Sequence, residues 1–153
     1  MNNLTVTQIE LEIRDKIASL EAALNIMVTD GVPTVDLPLN HYFTDGVYIR
    51  EIFIPADTIV VGLIHKHAHL NYITKGEVTV LTKDGLEHLV GPCSMISGAG
   101  TKRALYTHTD TIWTTVHANP TEERDVDKLV ASLTVPNYVS LPNEQPILIG
   151  EQS

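Results

Sequence analysis

Three histidines at alternate positions, His65, His67 and His69, followed by Asn71, have the clearest capacity for chemistry in this chain. On an extended strand, side chains two apart share a face. His65, His67, His69 and Asn71 would then point one way, and Lys66, Ala68 and Leu70 the other. Neutral imidazole ligates divalent transition metals and also hydrogen-bonds small ligands. Same-face positions lie about 6–7 Å apart, so only two of the three histidines reach one ion unless the strand bends. A further ligand must come from elsewhere. His117, which shares a face with Trp113 and Thr115 in "TIWTTVH", is the first candidate. His108 falls in a turn and faces solvent, and His41 and His88 read as surface or loop residues.

Arg103 is the second element of chemistry. A guanidinium has no free lone pair for a metal, but its planar fork suits a carboxylate or phosphate. It can serve an anionic ligand or pair with a strand carboxylate such as Glu51, and both readings stand. Its neighbour Lys102 should face solvent. Tyr48, Tyr72, Tyr106 and Trp113 are candidate pocket walls or plain core. Cys93, in the apolar run "GPCSMIS", reads as an inert thiol.

These residues need a scaffold, and the pattern predicts one that is mainly β. From about residue 40 to 118, short β-rich runs alternate with turn signals such as Asp45-Gly46, Lys75-Gly76 and Asp84-Gly85. That rhythm suggests an antiparallel sandwich or barrel. "TKDGLE" is the clearest hairpin, with Asp-Gly taking the positive φ angles of a two-residue turn. Before the strands, Thr7 and Glu10 have capping-box spacing. Ile9, Ile13, Ile17, Leu20, Leu24 and Met27 then form the stripe of a helix within residues 1–29. That stripe can dock on its own barrel or on another copy. After the strands, Asn119 as N-cap, Pro120 and Glu122 predict a short helix with Val126, Leu129, Val130 and Leu133 on its apolar face. An extended tail follows Pro136. A single domain over 1–153 is expected.

The strand block resembles the cupins, small double-sheet jelly rolls. Gly62, His65, His67, His69 and Gly76 stand on the ground of the family's first motif. His69, seven residues before Gly76, occupies the usual place of its glutamate. Gly91 and "GAGTKR" are similar to the second motif, but Arg103 stands where the last ligand would be. The likeness covers residues 48 to 117 and extends to small cupins encoded by bacteriophages, which have a terminal helix beside the barrel. It implies a cupin-type double-stranded β-helix with an N-terminal helix and a short C-terminal helix plus tail. It also implies a divalent transition metal (zinc, iron, nickel or manganese) on His65 with His67 or His69, and His117 completes the expected set. Asn71, Arg103, Tyr106 and Trp113 are the expected ligand-binding residues.

A formal charge of −9 argues against binding duplex nucleic acid. One cysteine, no basic-then-apolar start and no bilayer-length apolar run lead to a cytoplasmic expectation, the host cytoplasm for a phage protein. The expected partners are a small anion and further copies, bound through the N-terminal helix or the C-terminal tail. Three functions fit: a metal-dependent enzyme, a protein that captures a ligand without turnover, and an assembly or virion-associated protein.

Overall fold

The structure, a computed structural model, describes residues 6–31 and 37–135, without the side chains of Val6, Thr7 and Glu10. The Thr7–Glu10 box, the Pro-rich linker at 32–36 and the tail after Val135 therefore lie outside the described residues. The order is α1 (Val6–Thr29), β1 (Leu39–Thr44), β2 (Val47–Ile54), β3 (Ile59–Val61), β4 (Ile64–His65), β5 (His69–Lys75) and β6 (Glu77–Thr82). Then come β7 (Gly85–Val90), β8 (Cys93–Ser97), β9 (Ala104–Thr107), β10 (Thr111–Ala118), α2 (Val126–Leu133) and β11 (Thr134–Val135).

Two antiparallel sheets face each other as a jelly roll, one ordered β1-β2-β10-β5-β8 and the other β3-β9-β6-β7. β4 and β11 form a small ribbon at one end. Strands alternate as half-buried strands must: along β5, His69, Asn71 and Ile73 are buried while Leu70, Tyr72 and Thr74 are exposed. The barrel is solid where Ile54, Ile73, Val78, Val80, Leu105 and Trp113 meet. Gly76 closes one corner at φ +116°, and a Cβ there would overlap Thr111. Only glycine tolerates both conditions.

Both helices form, with differences that have physical causes. Ile13 and Ile17 of α1 pack on Val61 and Ala104, with Leu20, Leu24 and Leu81 around them, so the helix docks on its own barrel. Ile9 and Met27, at the ends of the stripe, stay exposed. Lys102 is not in solvent as expected. Its side chain does point outward from the sheet, but α1 covers that face, and Nζ meets Glu21 Oε1 at 3.0 Å with both residues buried. The second helix starts six residues later than expected. Asn119 does not cap it: the side chain clamps a turn, donating to the Glu123 carbonyl and accepting from the Glu123 amide. Asp125 is the cap instead, accepting from the Lys128 amide at 3.2 Å. The "TKDGLE" hairpin forms with Thr82 opposite Gly85, yet only Gly85 takes a positive φ, at +104°. β1 and β11 were not expected as strands. Among the described residues, no helix is long and apolar enough to cross a membrane.

Candidate ligand site in the barrel

The strand that was to carry three histidines on one face is broken. The chain leaves β4, where His65 pairs with Thr134, and enters the five-stranded sheet only at His69. Alternation is lost across this corner. The His67 side chain turns to solvent, while His65 and His69 fold toward each other with ring centroids 4.3 Å apart. His117 joins them from β10, its centroid 4.8 Å from His69 and 5.6 Å from His65. The structure thus gathers His65, His69 and His117, and leaves His67 outside.

Beside these rings lies a cavity of about 350 Å³ between the sheets. Its interior wall from β2 is the alternate series Tyr48, Arg50, Ile52 and Ile54, and from β10 it is Trp113, Thr115 and His117. Register explains the polarity. Ile52 and Trp113 are neighbours across the sheet, then Arg50 and Thr115, then Tyr48 and His117. One end of the cavity is therefore apolar, and the other carries cations, imidazoles and a phenol. Val126, Val130 and Leu133 of α2 line it as well.

Arg103 is buried at the junction. One terminal nitrogen donates to Asn71 Oδ1 at 2.9 Å, the other meets His69 Nε2 at 3.1 Å, and the guanidinium lies 5.1 Å above the Trp113 ring. A guanidinium only donates, so His69 Nε2 accepts and its proton sits on Nδ1, facing the His67 carbonyl at 3.3 Å. Asn71 also accepts from Trp113 Nε1 at 3.0 Å and donates to Ser97 Oγ at 2.8 Å. It is fully buried and holds this network together. Neither of the two sequence readings of Arg103 anticipated these partners, and Glu51 instead accepts from Asn40.

The imidazoles are held neutral. Burial pushes His65 down to about 2, helped by the neighbouring His69 and Arg103. Burial first, then His69 and Arg50, lowers His117 to about 4, and burial with Arg103 lowers His69. Burial also lowers Arg50 and brings Arg103 down to about 10, which leaves both charged near neutral pH.

Tyr106 does not reach the cavity. On β9 the inward position is Leu105; Tyr106 sits on the outer face and donates to Asp57 Oδ1 at 2.6 Å. Tyr72 is likewise outward and exposed, whereas Tyr48 lines the cavity. His41, expected at the surface, is half-buried and lines it too, with Nδ1 2.8 Å from the Tyr48 hydroxyl. His108 and His88 lie exposed on the opposite sheet, beside Thr79 and Glu77 respectively. Cys93 is half-buried without a disulfide. Arg50 was missed as a site residue. Its signal was present: it stands at the inward parity of β2 between Tyr48 and Ile52, where a charge calls for an explanation.

The three rings lie at separations that one ion could bridge, yet their nitrogens do not form a metal centre as arranged. His69 Nε2 faces a guanidinium, His117 Nε2 lies 3.1 Å from Thr115 Oγ1, and among the described residues no carboxylate joins them. Among the described residues, no three His, Cys, Asp or Glu side chains form a group able to hold a metal. Among the described residues, His65 Nδ1 is buried without a hydrogen-bond partner.

Together the two sheets, their order and the flanking helices define a cupin-type jelly roll. Among solved structures, ectoine synthase from P. lautus is similar with a TM-score of 0.52 at 14% identity, covering 64% of this chain and 75% of that one. A salicylate 1,2-dioxygenase from Pseudoaminobacter salicylatoxidans gives 0.51 at 12% identity, covering 80% of this chain and 34% of that one. A protein described as a cupin superfamily member, from Desulfitobacterium hafniense, gives 0.48 at 15% identity, covering 57% and 81%. At these identities the likeness is one of fold. No family model matches the chain, and no curated protein matches it.

Proposed function

We propose that this protein captures a small organic anion, with an apolar body and a carboxylate or phosphate head, inside the barrel. One observation carries the reading: Arg50 and Arg103 both line the cavity, and among the described residues neither has a carboxylate within ion-pairing distance. A buried cation without a counter-charge is costly, and an anionic ligand would supply one. The apolar end of the cavity would take the body of that ligand, and a volume of about 350 Å³ lies in the range of small-molecule sites. Capture is favoured over turnover because most groups suited to acid–base work are already engaged, and His65, the exception, is held neutral by burial well below its ordinary range. His69 is bonded to Arg103, His117 to Thr115, and Tyr48 to His41.

Calorimetric titration with benzoate, octanoate and phenyl phosphate, and with benzyl alcohol as neutral control, tests the proposal. At least one anion should bind while the alcohol does not. Arg50→Met and Arg103→Met should each weaken that binding by about 30-fold or more, the usual consequence of removing one member of a buried charge pair. Binding that is equal in the Arg50→Met variant, or no binding by any of the anions, would overturn it.

A metal remains the second reading, favoured by the ring separations of 4.3–5.6 Å and the unpartnered His65 Nδ1. It requires Arg103 to release His69. Elemental mass spectrometry on untagged protein decides it: near-stoichiometric zinc, iron, nickel or manganese that is lost in His65→Ala and His117→Ala variants would support it. No metal after reconstitution of folded protein would exclude it.

A further inference from the structure

Two guanidiniums enter the cavity from opposite sheets and converge. Arg50 comes from β2 of the five-stranded sheet, and Arg103 immediately precedes β9 of the four-stranded one. The charge of each reaches His65 and His117, so both cations border the same two rings. Arg103 gives its terminal nitrogens to neutral groups, Asn71 Oδ1 at 2.9 Å and His69 Nε2 at 3.1 Å. Those bonds fix its direction and leave its charge uncancelled. Among the described lining residues the one carboxylate is Asp127, exposed on the first turn of α2, where water screens it. The polar end of the cavity therefore carries two positive charges without a counter-charge beside them.

We propose that the head group bound between Arg50 and Arg103 is a dianion, the phosphate of an organic monoester, and not a single carboxylate. This rests on the anion-capture reading and narrows it. Like charges held close together at a low-dielectric wall raise each other's energy. A monoanion would cancel one of them and leave the other without a partner, which remains costly. Two charges on one head cancel both. The unmet hydrogen-bonding groups point the same way. Among the described residues, no hydrogen bond engages the Arg50 guanidinium, and His65 Nδ1 is buried unpartnered. A carboxylate offers two oxygens, which the fork of one guanidinium already occupies. A phosphoryl group offers a third, free to accept from an imidazole N–H. Ile52, Ile54, Leu105 and Trp113 then form an apolar wall for the organic group carried by the phosphate.

Calorimetric titration of the full chain at pH 8 separates charge from shape. Phenyl phosphate carries two charges at that pH, phenyl sulfate one charge on a similar three-oxygen head, and benzylmalonate two charges on two carboxylates. The wild type should hold phenyl phosphate at least about 10-fold more tightly than phenyl sulfate. Arg50→Met, shown to be folded by circular dichroism, should reduce that ratio to about threefold or less, because one cation is left. Arg50→Lys, which keeps the charge, should retain it. A smaller ratio in the wild type, or one that persists in Arg50→Met, would overturn the dianion. Benzylmalonate bound more tightly than phenyl phosphate would overturn the phosphate. Binding of benzoate or octanoate but of none of these three would overturn the inference and leave anion capture standing. Silence from all five would overturn both.

Discussion

Lys102→Ala should destabilise the fold by about 3–5 kcal/mol, the usual cost of removing one member of a buried ion pair. The Nζ–Oε1 contact of 3.0 Å is closed to solvent, with Lys102 2% and Glu21 0% exposed. It joins the middle of α1 to the residue preceding Arg103, so the helix and the site share one anchor. Whole domains are stable by only about 5–15 kcal/mol, and a loss of this size is a large part of the total. Urea unfolding followed by circular dichroism measures it. The control is the double variant Glu21→Leu with Lys102→Met, which removes both charges and should recover most of the stability. A single variant within about 1 kcal/mol of wild type would show that α1 is held by its apolar stripe alone.

Acid should be as damaging. His65 and His117 are held neutral in the folded chain, at about 2 and about 4, whereas an unfolded histidine titrates near 6.5. Below pH 6.5 the unfolded state therefore takes up protons that the folded state refuses. The stability these groups carry is complete above that pH and declines as pH falls toward the folded values. Each buried imidazole contributes a slope of about 1.4 kcal/mol per pH unit. By pH 4.5 the two together cost about 5 kcal/mol, and His69, lowered in the same direction, adds to the loss. Urea midpoints at pH 7.5, 6.0, 5.0 and 4.5 should be flat at first and then fall steeply. A flat profile down to pH 5 would mean that the rings are solvated rather than enclosed.

The jelly-roll architecture was legible in the chain because alternation and turn residues are local properties. The strand runs from Val47 to Ala118, the Asp45-Gly46 and Gly85 hairpins and the stripe of α1 follow from the neighbours of each residue. The gathering of two of the three clustered histidines with His117 was legible too, since strand geometry alone denied one ion to all three. Which two was decided by the corner between β4 and β5, where the chain changes sheets and parity is broken. The other surprises share one cause. Lys102 points away from its sheet, as its position requires, but only the packed helix makes that direction an interior one. Arg103 satisfies Asn71 and His69, groups about 30 residues away in the chain, and no local spacing reveals such a pairing. Residue type and periodicity determined the strands, their inward faces and the pool of candidate histidines. Tertiary packing alone decided which inward face is core and which is cavity, because burial and counter-charge come from elements distant in the chain.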